Sequence, residues 1–153
     1  MFYQVPVAVD DGDYIRFWWW SEADIGMPPV VNKTMVHPFG AKLSPNCSNF
    51  ALRETAEDHM NEFNPIISQA VINNFYVDAF LMSVATEQEA IKVIYQMCDL
   101  CAKGGFNVTK WTSNSKEIIH TAPVDKRSKE IQKLNLDCAD LPMERVSSVS
   151  WLV

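Results

Sequence analysis

Three observations predict an α+β fold with an antiparallel sheet backed by helices. Runs rich in aromatic and β-branched residues stand between Asp/Gly and Pro clusters, the punctuation of strands and turns. Two segments open on a helix-capping residue and continue with apolar residues at helical spacing. Apolar residues make up 48% of a chain of 153, enough to bury a core in one domain.

The elements follow in order. Phe2 to Val9 and Tyr14 to Trp20 flank Asp10-Asp11-Gly12-Asp13, a pattern that predicts a hairpin. Pro28-Pro29 then breaks the chain, and Val30 to His37 suits another strand. At Ser44-Pro45 the pattern turns helical. Ser can accept from the orphan N–H groups of a first turn and Pro is pre-set for the first helical position, so a helix is expected from about Pro45 to Met60. A second short helix before the next strands is optional. Phe75 to Val77 and Phe80 to Val84 predict a tight hairpin with Asp78 and Ala79 in its turn. Thr86, with Glu89 three residues later, is a capping box, and Ile91, Ile94, Cys98 and Cys101 recur at helical spacing up to Gly104-Gly105. Phe106 to Trp111 reads as a strand, the charged "DKRSKEIQKL" after Pro123 as a short exposed helix, and Val146 to Val153 as a last strand.

Composition narrows the function. Thirteen basic and nineteen acidic residues leave a formal charge of −6, whereas nucleic-acid binders usually present a basic face. The longest apolar runs fall far short of the roughly 20 residues of a membrane helix. No basic, apolar leader precedes the first predicted strand, so the expected setting is intracellular and cytoplasmic. In that setting the Asn32, Asn46 and Asn107 sequons carry no weight. Cys98 and Cys101 form a C-x-x-C pair, but no second ligand pair stands at compact spacing. The pair lies mid-helix by pattern, so we read these thiols as free and turned to the buried side. His37 and His59 are too far apart and too unsupported to be proposed as ligands, and nothing in the pattern argues for His120 as one.

Trp18, Trp19 and Trp20 could stack on bases, but neighbours in a strand point to opposite faces. A strand buried on both faces is the simpler reading. Asp78 raises a different question. A carboxylate in a hairpin turn projects beyond the sheet edge, where it could hold a divalent cation for phosphoryl transfer. It could equally serve the turn itself by accepting from local backbone N–H groups.

The surroundings of Asp78 carry more. "FYVDAFLMSVAT" resembles the Tyr-x-Asp-Asp box of reverse transcriptases, and "VHPFGAKLSPNCSNFAL" stands where the next-upstream polymerase motif would. The Glu87 to Lys103 helix, "KGGFNVTKWTSNS" and "LPMERVSSVSW" continue in the same order. Nearly the whole chain resembles the palm of a reverse transcriptase of the BEL/Pao LTR-retrotransposon group. That resemblance implies an antiparallel sheet backed by helices and an RNA-directed DNA polymerase. Such an enzyme joins nucleotides to a primer 3′-OH with two Mg²⁺ (or Mn²⁺). It also implies an RNA template, a DNA primer and dNTP as partners, alongside fingers, thumb, RNase H, protease and integrase domains of a polyprotein, and no membrane.

Roles follow by resemblance, residue by residue. Asp78 matches the first Asp of the box, a Mg²⁺ ligand, with Tyr76 and Val77 approaching the primer end. Phe39 and Gly40 match the motif bordering the incoming nucleotide, where Gly permits close backbone approach and Phe offers an apolar wall. Lys110 falls near the family's lysine beside the leaving pyrophosphate. "MFYQV" is similar to the family's "MFHQV", which makes Phe2 the steric gate against a ribose 2′-hydroxyl.

The chain also departs from the pattern. Ala79 stands where the second Asp of the box belongs, and Ser147-Ser148 replace a small residue and Gly in the primer-grip-like strand. The family's first catalytic Asp would fall before Met1, as would the fingers, which implies a partial palm truncated on its N-terminal side. The expectation is a polypeptide inactive alone. The alternative is a non-catalytic nucleic-acid or protein interaction module on a palm scaffold, and an unrelated α+β domain is the third possibility.

Overall fold

The computed structural model describes residues 1–129 and the strand residues 144–146 and 149–151. It is a mixed α+β chain in which the described strands form three separate antiparallel pairs where one sheet was expected. By contact density the chain divides into two units, Met1–Ala51 and Leu52–Val153.

In the first unit Phe2–Gln4 forms a 3₁₀ turn, where a strand was expected to begin. Pro6, with no N–H to donate, contributes one isolated antiparallel bridge to Val36. Around it Val7 N–H donates to Met35 O at 2.9 Å and His37 N–H to Val5 O at 3.1 Å. The expected hairpin through Asp10 to Asp13 is therefore corrected: Asp11–Tyr14 is a second 3₁₀ turn. Strand β1 (Arg16–Trp19) instead pairs with β2 (Val30–Lys33), Arg16 opposite Lys33 and Trp19 opposite Val30. The Val30–Lys33 run has every backbone donor, whereas Pro6 interrupts Phe2 to Val9, which makes the Val30–Lys33 run the better partner for β1. Asp13 fastens the ribbon, its carboxylate taking Arg16 at 2.9 Å and Lys33 closer still. The Lys33 and then the Arg16 hydrogen bond hold the Asp13 carboxyl below its ordinary pKa. Their contribution is thus present above the unfolded carboxyl pKa and lost as pH falls. The tryptophan strand is not buried on both faces: Trp18 is 66% exposed and Trp19 55%, because a two-stranded ribbon has no covering layer of its own.

Helix α1 (Ser44–Asp58) starts at the predicted Ser-Pro. The Ser44 hydroxyl donates to Pro38 O at 2.8 Å. The second unit takes over from Leu52. Helix α2 (Pro65–Asn73) is the optional helix, its N-cap Asn64 accepting from Ile66 N–H at 3.0 Å and Pro65 opening the first turn. Strands β3 (Phe75–Tyr76) and β4 (Ala79–Phe80) make a minimal hairpin. Helix α3 (Glu87–Lys103) begins where Thr86 Oγ1 accepts from Glu89 N–H at 3.2 Å. Ile94, Met97, Leu100 and Cys101 are its buried stripe, while Ile91 and Cys98 sit at the half-buried margin. Gly104 and Gly105, the latter at φ +76°, end it as expected. Leu52 and Ala56 of α1 and Ile67, Ala70 and Val71 of α2 are buried in the same unit, and α2 packs on α3.

Phe106 to Trp111 is not a strand. Phe106 is buried and its N–H donates back to Cys101 O at 2.9 Å, Lys110 turns to φ 64°, and Trp111 alone bridges to Arg127. Helix α4 (Lys116–Thr121) was not expected, and the β-branched Ile118-Ile119 give it little helix propensity of its own. It exists because those two side chains are buried and α4 packs on α3. The Arg127 guanidinium, donating to His120 O and Ala122 O at 2.9 Å each, also caps its C-terminal end. Of "DKRSKEIQKL", the part described contains a 3₁₀ turn at Val124–Lys126, and residues 130–134 lie outside the described residues. The last predicted strand is two: β5 (Glu144–Val146) pairs with β6 (Val149–Trp151). Ser147-Ser148 lie outside the described residues. Among the described residues no helix is long and apolar enough to cross a membrane.

Candidate functional site

The site residues named from the sequence fall in both units. In the second, α2 runs directly into the β3–β4 hairpin, with Phe75 opposite Phe80 and Tyr76 opposite Ala79. The Phe75 and Phe80 rings pack with centroids 5.2 Å apart, a cross-strand aromatic pair that sets the register. The register leaves Val77 and Asp78 as the two turn residues, so Ala79 is corrected from the turn to the first residue of β4. Val77 has φ 57°. A tight hairpin turn needs positive φ at its first central residue to match strand twist, but a β-branched side chain is strained there. Asp78 is exposed at the tip and Tyr76 beside it is 65% exposed. Lys110 is exposed, also in left-handed backbone, in the stretch after α3.

In the first unit Phe2 is buried and Phe39 is 77% exposed, and their rings meet at 5.8 Å with a 45° tilt. Gly40 follows at φ +89°, a conformation that favours glycine. Among the described residues beyond its chain neighbours, none comes within 4 Å of where its Cβ would be, so backbone conformation rather than close approach calls for glycine here. The structure therefore joins Phe2 to Phe39 and groups Tyr76, Val77 and Asp78.

The Mg²⁺ or Mn²⁺ that the resemblance implies would need carboxylates beside Asp78. Ala79 supplies none, and among the described residues no three His, Cys, Asp or Glu side chains come together. These residues do not fit a pair of metal ions.

The Cys-x-x-Cys pair lies within α3 as expected, Cys101 buried and Cys98 half-buried, while Cys138 lies outside the described residues. Burial pushes the Cys101 thiol up to about 12, and burial likewise raises Cys98 against the opposing pull of Lys126 and Trp111. A raised thiol pKa stabilises the fold fully below the unfolded value near 9.0 and is lost as pH rises from there toward 12. Since the thiolate is the nucleophile, Cys101 should resist iodoacetamide at pH 8 in the native protein and react once unfolded. Peptide mapping by mass spectrometry checks this, and native labelling of Cys101 at the rate of a free thiol would refute it.

Sequence reasoning missed a groove of about 440 Å³ lined by Pro65, Ile66, Gln69, Ala70, Asn73, Asn74 and Met82. Its signal was the carboxamide series Gln69, Asn73 and Asn74, which helical spacing brings to one side of α2. No protein-family model, curated protein or solved structure matches this chain.

Proposed function

We propose that this chain is a catalytically incomplete reverse-transcriptase palm of the BEL/Pao group, related to RNA-directed DNA polymerases but unable to extend a primer by itself. What supports the reading is the β3–β4 hairpin, whose two-residue turn holds Asp78 exposed at its tip with Tyr76 beside it. Nucleotidyl transfer is accelerated mainly by positioning and by charge aimed at the phosphates. In the resembled pattern three carboxylates share that work, and this chain carries Asp78 with Ala79 as its neighbour. Loss of one preorganised charge-stabilising group commonly lowers kcat by about 10²–10³, so Ala79 in place of a carboxylate is expected to bring turnover below detection. Primer extension on an RNA template with Mg²⁺ or Mn²⁺ tests this. No incorporation is expected, and incorporation abolished by Asp78→Ala would overturn the reading of the chain as inert.

A second reading, a non-catalytic interaction module, is favoured by the exposed Phe17, Trp18 and Trp19 of β1. Bases stack on such faces, and phosphate contacts make affinity fall with salt. A gel shift with an RNA:DNA hybrid that appears at low salt and disappears on Trp18→Ala would favour this module.

A further inference from the structure

A hairpin of two paired positions is marginal by itself, so something outside β3 and β4 must hold it. The residue is Asn74. Continuing the register by one position places Asn74 opposite Leu81. Pairs in an antiparallel ladder alternate between those that exchange two N–H···O bonds and those that exchange none. Leu81 N–H donates to Asn74 O at 3.2 Å, so this is an exchanging pair, and the return bond should come from Asn74 N–H. That donor is already committed. As the residue closing α2, Asn74 gives its N–H to Ala70 O at 2.8 Å. The side chain supplies the missing donor: Asn74 Nδ2 donates to Leu81 O at 2.9 Å.

We infer that Asn74 is the positioning residue of the Tyr76–Asp78 turn, its carboxamide substituting for a backbone donor so that one residue both ends α2 and starts the hairpin. Backbone and side chain together tie the orientation of the hairpin to the helix axis. The role of the turn rests on the reading of Asp78 above. The two parts fail separately, because primer extension tests Asp78 while the hairpin signals described next test Asn74.

Two variants examine the donor. Asn74→Ala removes it, and Asn74→Asp keeps the shape but sets a carboxylate, which cannot donate, against Leu81 O. Loss of one bond of this kind is expected to speed exchange of the Leu81 amide about tenfold. The Phe75–Phe80 cross-strand NOEs should weaken while the Ala70 and Val71 amides of α2 keep their protection. In Asn74→Asp the NOEs should return as pH drops below about 4, because the protonated acid regains an O–H to donate. The surrounding Pro65, Ile66, Gln69, Ala70, Asn73 and Met82 do not titrate, and the wild type measured at the same pH values subtracts any effect of Asp78 at the far end of the hairpin. Hairpin signals unchanged in Asn74→Ala overturn the inference. So does an Asn74→Asp defect that acid does not reverse, and so does global unfolding of either variant at neutral pH.

Discussion

Leu100→Ala is expected to destabilise the second unit by about 3 kcal/mol, since truncating a fully buried Leu removes transfer free energy and leaves a cavity. Leu100 is 0% exposed on α3, the helix against which both α2 and α4 pack. Neighbouring Met97 and Cys101 are equally buried, so little can collapse into the space. A domain of this size is stable by roughly 5–15 kcal/mol, so the loss is a large fraction of the whole. Urea unfolding followed by circular dichroism would show it as a lower midpoint with unchanged slope. A loss under about 1 kcal/mol would mean that α3 is not the centre of the core.

Gly104→Ala is the second large effect and tests a different part of the same helix. A Cβ at Gly104 would lie 2.7 Å from Cγ2 and 2.9 Å from Cβ of Thr55, with Oγ1 closer still. Thr55 is buried on α1, and a β-branched side chain has no long flexible end to swing away. Either α1 shifts from the end of α3 or the Gly105 turn opens. Overpacking of this kind costs about 2 kcal/mol. The partner substitution Thr55→Ser removes Cγ2 and part of the clash. The double variant should therefore recover some stability, measured as a coupling in a double-mutant cycle. Strict additivity of the two changes would show that the clash does not occur.

These two positions also show where sequence was informative. Gly104 as a helix end and Thr86 as a helix start were legible because caps are local: the groups that satisfy a terminal N–H or C=O lie within a few residues. The α3 stripe was legible to within about one residue, because helical periodicity reports a face but not how neighbours turn it. Strand partners were legible across the tight turn between β3 and β4 but not for β1. Arg16–Trp19 chose Val30–Lys33 over the nearer Phe2–Val9 because Pro6 could not complete a ladder, and pairing is decided between segments. Helix α4 was hidden for a related reason. Its Ile118-Ile119 favour a strand locally, and the carbonyls at its end are satisfied by Arg127, which reads as one more charge in the sequence.

The candidate site divides in the same way. The sequence alone determined that Asp78 stands in a turn between two aromatic strands and that Ala79, not a second carboxylate, follows it, since both are matters of residue identity and short-range pattern. Tertiary structure decided that the turn is Val77-Asp78, that Val77 bears the strain, and that Asn74 gives its backbone N–H to α2 and its side-chain N–H to Leu81. The physical reason is that a backbone N–H aligned on one carbonyl is turned away from any other lying in a different direction. Which partner receives it depends on what the fold brings within 3 Å, and no window of sequence contains that.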